Sequence, residues 1–283
     1  MSHGDDFRIR TMRRDELAFA IELAAQEGWN PGLHDGECFY AADPDGFLIG
    51  ELHDEAVGCI SAVSYGGRYG FVGLYIVRPE FRGQGYGLQL WQAAMARLQG
   101  HNVGLDGVVG QQGNYARSGF RLAYVNVRYR GAAEPAPMHA SILPAAETSF
   151  DAIGNLDREI FPERRDAFLR CWLAQPHAGV YIARDEGGLT GYAVVRPCRE
   201  GWKLGPLVAD GTAIAERLYR AAAGHVPRGD AIFVDIPEAN AGAQSLRATF
   251  GLIPAFETAR MYTGPNPAID LSKLYGVTTF ELG

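Results

Sequence analysis

V-R-P-E-F-R-G-Q-G-Y-G, from Val77 to Gly87, joins the end of one apolar run to the start of another and sets three glycines between them. The run before it, Phe71 to Val77 (F-V-G-L-Y-I-V), is aromatic and β-branched and reads as a strand. Pro79 ends the ladder because it has no N–H to give. Beyond the glycines, Leu88, Trp91, Met95 and Leu98 recur at helical spacing, so the segment reads strand, loop, helix. Gly83, Gly85 and Gly87 leave the loop backbone bare. Its N–H groups, with the positive end of the helix dipole, can then wrap an anionic diphosphate at close range.

Three loop types use that device. A P-loop needs Lys and Ser/Thr directly after its last glycine, but Leu88 and Gln89 follow Gly87. A dinucleotide fingerprint, G-x-G-x-x-G, would put its third glycine at Leu88, although Asp106 lies at a suitable distance to bind a ribose. The third pattern, R-x-x-G-x-G, is met by Arg82, Gly85 and Gly87 and introduced by Val77-x-Pro79. It resembles motif A of the Gcn5-related N-acetyltransferases, whose loop holds the pyrophosphate of acetyl-CoA. A second match follows the strand-like stretch His101 to Val109. Gln111 to Phe120 closes with Y-x-x-x-G-F at Tyr115, Gly119 and Phe120, similar to motif B of the same family. The resemblance covers residues from about 8 to 130. The alternative is a plain α/β domain whose glycines only make turns.

The resemblance implies an α/β fold with a mixed sheet, direct acyl transfer from acetyl-CoA as cosubstrate, and no metal. It assigns coenzyme contact to Tyr75, Ile76, Val77, Arg82, Gly83, Gln84, Gly85, Tyr86, Gly87, Asn114 and Tyr115. A backbone N–H around Tyr75 to Val77 is the implied oxyanion donor. Tyr115, as a phenol still protonated at neutral pH, is the implied acid for the leaving thiol. Many relatives carry a basic carboxylate on the motif A strand, and Phe71 to Val77 has none. Glu27, His34, Asp35, Glu37 and Asp106 are the groups left to take the amine's proton, with Asp106 and Glu37 put forward, unless a water relay does so. The missing carboxylate also keeps open a CoA or acyl-CoA sensor without turnover.

Elsewhere in the first half, Phe7 to Arg10 reads as a strand and Met12 to Glu27 as an amphipathic helix. Phe47 to His53 and Ala56 to Tyr65 read as a hairpin. Between helix and hairpin, G-W-N-P-G-L-H-D-G-E (Gly28 to Glu37) is the connection that walls the acceptor site in the family. Trp29, Asn30, His34 and Asp35 are its candidate acceptor contacts, suited to a small, polar amine. Trp29 read alone is equally a structural plug.

Composition bounds the rest. A chain of 283 residues favours two domains. The net charge of −7 argues against a nucleic-acid partner. Cys38, Cys59, Cys171 and Cys198 are far apart, without metal or redox spacing, and read as reduced, partly buried thiols. The opening M-S-H-G-D-D lacks the apolar core of a leader and no apolar run reaches membrane-spanning length, so the expected setting is the cytoplasm, without a membrane partner.

The stretch G-A-A-E-P-A-P-M-H, from Gly131, has no hydrophobic period and reads as a linker. Beyond it the element order repeats at roughly 130 residues, with a kinked helix (Ile153 to Leu173), paired strands, Trp202 to Val208, a helix (Thr212 to Ala223), a strand (Ala231 to Ile236) and a last helix, Gln244 to Phe256. Its Thr249-Phe250-Gly251-Leu252 echoes Ser118-Gly119-Phe120. The expected organisation is two tandem acetyltransferase-like domains: 1–131, which binds coenzyme and carries catalysis, a linker at 132–139, and 140–283. At the position of motif A the second copy has Gly205-Pro206-Leu207-Val208-Ala209-Asp210-Gly211, in which Pro206 removes a donor and Asp210 adds a negative charge. It is expected to be non-catalytic, an acceptor-site wall or a scaffold, in a monomer or homodimer.

Overall fold

Residues 6–283 are described by the computed structural model, so the opening segment read above as leaderless lies largely outside them. The first half runs β1 (Phe7–Thr11), α1 (Leu17–Gln26), α2 (Asp35–Ala42), β2 (Phe47–Leu52), β3 (Glu55–Tyr65), β4 (Tyr69–Val77), α3 (Tyr86–Arg97), β5 (Asn102–Val108), α4 (Gln112–Arg117) and β6 (Arg121–Ala132). Coil then leads to β7 (Ile142–Pro144), α5 (Phe150–Ile160), α6 (Asp166–Leu173), β8 (Gly179–Asp185), β9 (Gly188–Pro197), β10 (Trp202–Ala209), α7 (Thr212–His225), β11 (Ala231–Pro237), α8 (Ala241–Thr249), β12 (Ile253–Tyr262) and β13 (Leu274–Gly276).

Local chemistry accounts for most of these bounds. α3 buries Tyr86, Leu90, Trp91 and Ala94, a stripe at helical spacing that packs on the sheet. Ser149 Oγ caps α5 by accepting from the Ala152 N–H at 3.3 Å, and Asn240 caps α8. The last helix thus starts earlier and stops sooner than its periodicity suggests, since Pro254 and the β-branched Ile253 belong to β12. Pro162 separates α5 from α6 rather than kinking one helix. The expected acceptor loop contains a helix, α2, whose Cys38 and Phe39 face the core.

Both halves feed one mixed sheet, in the order β1-β2-β3-β4-β5-β12-β6-β11-β10-β9-β8-β7, with β13 beside β10. The halves trade strands. β12, from the second, lies antiparallel to β5, and β6, from the first, lies antiparallel to β11. The boundary expected at 132–139 does not bound the sheet: Ala132 is the last residue of β6, β12 lies between β5 and β6, and β6 lies between β12 and β11.

The interface is a core in its own right. Phe39 stacks on Trp172 at 6.3 Å and Tyr65 meets Phe161 edge-on at 4.9 Å, within a cluster drawn from both halves. Among the described residues, three buried ion pairs cross it: Asp35–Arg196 at 2.8 Å, Arg128–Asp235 at 2.7 Å and Asp106–Arg260 at 2.6 Å. Removing one partner of such a pair strands a charge and costs about 3–5 kcal/mol. Cys38 and Cys171 are disulfide-bonded, which corrects the expectation of four reduced thiols. Their separation of 133 residues carries no spacing signal; the pairing comes from α2 packing on α6. Cys59 and Cys198 are free and buried. No helix among the described residues is long and apolar enough to cross a membrane.

Candidate active site

β4 and β5 are parallel neighbours only from Tyr69–Asn102 to Val72–Leu105. Beyond that point they diverge, and a bulge sets Leu74 and Tyr75 against the single Ile60 of β3, with Leu74 at φ +46°. A bulge re-aims backbone groups out of the ladder. Here it lies at the edge of the Tyr75 to Val77 segment implied above to hold the oxyanion donor. The gap between the strands opens into a cavity of about 670 Å³.

One end of the cavity is the glycine loop. Gly83 and Gly85 have φ of +76° and +89°, and a Cβ on either would meet nothing within 4 Å. The N–H groups of Gly83, Gln84 and Gly85 have no acceptor among the described residues, and Gly85 is the N-cap of α3. Open space, bare amides and a helix N-terminus fit a diphosphate. Arg82 donates from Nε to the Val77 carbonyl at 2.8 Å and pairs with Glu27. Arg82, Gly83, Gly87, Tyr75, Ile76, Val77 and Asn114 all line the cavity. Gln84 and Gly85 lie on the exposed loop surface. Tyr86 turns its ring into the core, 4.6 Å from Phe7, so only its backbone can serve a ligand.

Tyr115 lies where α4 returns over β5. Its ring sits on Gly107, where a Cβ would stand 2.3 Å from Cε2. Trp91 spaces it from Tyr75, at 5.6 Å to each ring. Burial, reinforced by Tyr75, pushes the Tyr115 hydroxyl up to about 12, so it holds its proton at neutral pH.

The acceptor segment is arranged otherwise than expected. Trp29 lines the cavity, and its carbonyl accepts from Arg128 Nη1 at 2.7 Å and Lys203 Nζ at 3.2 Å. Asn30 instead grips the second half, its Oδ1 accepting from the Glu200 N–H at 2.8 Å and its Nδ2 donating to the Glu200 carbonyl at 2.9 Å. Asp35 is buried against Arg196 and Gln175; burial alone would raise its carboxyl, but the Arg196 charge and hydrogen bond, the Lys203 charge and the Gly32 N–H together hold it below the usual range. His34 faces His177. Glu37 is exposed and paired with Arg14. None of these four lines the cavity; they join the halves or meet solvent, which corrects their expected placement. Asp106 does line it, but Arg260 and Asn126 occupy both carboxylate oxygens. That pairing also removes the ribose reading.

Part of the cavity wall comes from the second half: Phe256 and Thr258 on β12, Phe280 and Glu281 on the tail. Reading the sequence missed all four, because only the strand exchange brings them here. The period-two pattern of Phe256, Thr258 and Arg260 was the available signal.

The second half has the same splayed pair. β10 and β11 are parallel over Trp202–Leu204 and Ile232–Val234, then separate. There β13 adds to β10, and the Val277 N–H donates to the Asp235 carbonyl at 2.7 Å. Only Asp210 and Gly211 join β10 to α7, and Asp210 pairs with Lys273 at 2.8 Å.

A bulged, splayed strand pair beside a glycine loop defines an acyltransferase of the Gcn5-related N-acetyltransferase (GNAT) type, and the chain belongs to that family as a tandem member. The acetyltransferase (GNAT) family matches residues 13–120 and the acetyltransferase (GNAT) domain matches residues 153–276. The chain is 31% identical over 272 residues to the holothin acyltransferase of Pseudoalteromonas sp. (strain SANK 73390), covering 95% of this chain and 92% of that one. Among solved structures, a candidate acetyltransferase of Pyrococcus horikoshii superposes with a TM-score of 0.85 at 22% identity, over 100% of both chains. A tandem GNAT protein from the clavulanic acid biosynthesis pathway does so with a TM-score of 0.65 at 15% identity, over 92% of this chain and 100% of that one. The protein is an N-acyltransferase.

Proposed function

We propose that the protein moves an acetyl group from acetyl-CoA to the amino group of a small acceptor, at the cleft between β4 and β5. The observation that carries this reading is the continuity of one cavity from the bare amides of the glycine loop, past the bulge, to Tyr115. Loop amides and Arg82 take the diphosphate, and a backbone N–H at the bulge takes the oxyanion. Tyr115 protonates the leaving sulfur. The acceptor enters from the side walled by Trp29, Phe256 and Phe280. A cavity of about 670 Å³ suits a small molecule better than a protein surface or a nucleic acid, and the net charge of −7 points the same way.

The second half closes the acceptor side and has no coenzyme role in this reading. A relative that acylates holothin makes holothin the first acceptor to try. The test is thiol release from acetyl-CoA with holothin, benzylamine, an amino acid, a polyamine and an amino sugar. Turnover with one of them is expected. Tight coenzyme binding with no thiol released by any would favour a sensor, the reading motivated by a β4 without a carboxylate.

A further inference from the structure

Among the described residues, the cavity is lined by three carboxylates, Glu27, Asp106 and Glu281. Glu27 is paired with Arg82 at the glycine-loop end, away from the bulge. Asp106 spends both oxygens on Arg260 and Asn126. Glu281 differs from both. It is 4% exposed, its Oε2 accepts from Thr279 Oγ1, and its Oε1 has no donor among the described residues. Arg128 and Lys203 lie near enough to act on it electrostatically, but their hydrogen bonds go to Asp235 and the Trp29 carbonyl.

Its backbone is fixed beside the reacting centre. A Cβ on Gly73 would stand 2.0 Å from the Glu281 carbonyl oxygen, so the tail lies against β4 at the residue before the bulge. A second observation points to a ligand here. Thr258 Oγ1, in the same wall, is buried without a hydrogen-bond partner, an arrangement that is costly unless something binds to it.

We propose that Glu281, supplied by the tail of the second half, is the general base that deprotonates the acceptor amine, with Thr258 as its companion contact. This rests on the acetyl-transfer reading above. The ammonium passes one proton to Glu281 Oε1. The nitrogen lone pair then forms the C–N bond, the C–S bond breaks, and the sulfur takes the Tyr115 proton. The nitrogen's second proton restores Tyr115 by way of cavity water, and Glu281 releases its own to solvent. The net products are amide, thiol and one proton.

The test compares wild type, Glu281→Gln and Glu281→Asp as full chains, with acetyl-CoA and the primary amines of the panel, benzylamine among them. Gln keeps an acceptor for Thr279, so the melting temperature should be unchanged and acetyl-CoA affinity should stay within twofold of wild type. At pH 7 its kcat/KM for the amine should fall about 100-fold, the low end for loss of a general base. The deficit should shrink as pH approaches the amine's own pKa, where free amine needs no base, and Asp should recover part of the rate. A Gln variant as active as wild type, or a deficit equal at every pH, overturns the base assignment alone. A wild type that releases no thiol with any amine overturns the acetyl-transfer reading and this proposal with it.

Discussion

The strand pairs β4/β5 and β10/β11 start alike, with a few parallel rungs, a glycine and a divergence, and they finish differently. Between β4 and β5 the gap is a cavity; between β10 and β11 it holds the chain's own residues 274–278. The flanking turns differ in the same sense. Eight residues, including the glycine loop, join β4 to α3, whereas Asp210 and Gly211 alone join β10 to α7. Motif B differs too, since the position that Tyr115 holds before Gly119-Phe120 is taken by Arg247 before Gly251-Leu252. A splayed strand pair offers unpaired backbone, and that backbone must meet either a ligand or more protein. The duplicated cleft has been closed by the second option, and the strand that closes it continues into the wall of the first.

Three matched pairs of substitutions and one single one would break or sharpen the contrast. The largest effect is expected at the helix N-caps. Gly85→Asp forces a side chain into φ +89° and a charge towards the diphosphate, and should weaken acetyl-CoA binding about a thousandfold by titration calorimetry. Gly211→Asp, where φ is 174° and the space is open, should leave that affinity unchanged. Next come the glycines under the tail. Gly73→Ala and Gly205→Ala place a methyl 2.0 Å from the Glu281 carbonyl oxygen and 2.4 Å from that of Val277, and each should cost about 3 kcal/mol in denaturant unfolding. Only the first should also impair turnover. Tyr115→Phe should then lower kcat by about tenfold to a hundredfold with coenzyme affinity kept, while Arg247→Ala leaves kcat alone. Equal kcat for the Phe variant would remove Tyr115 from the reaction. Smallest is Glu37→Gln, expected to leave both the unfolding midpoint and turnover unchanged, because Glu37 and Arg14 meet in solvent.

Most of this contrast was legible in the chain. R-x-x-G-x-G and Y-x-x-x-G-F are local patterns, and so is the aromatic, β-branched run that marks β4. Their elements form where the residues say, within a residue or two. What the sequence hid is non-local. Asp35 and Asn30 look like acceptor groups because an imidazole, an amide and a carboxylate cluster there, yet their partners, Arg196 and Glu200, lie more than 150 residues away. Cys38 and Cys171 were unreadable for the same reason. Phe280 and Glu281 belong to a tail whose composition marks it as apolar but whose destination depends on β12 crossing into the other sheet.

That crossing has a consequence for how the protein is made. When Ala132 leaves the ribosome, every helix and strand of the first half except its partner for β5 has been synthesised, and β5 presents a bare edge until residue 262 follows. Native pairings of such long separation close slowly. A nascent or truncated first half therefore carries an open template for intermolecular strand addition, one that closes only when β12 arrives.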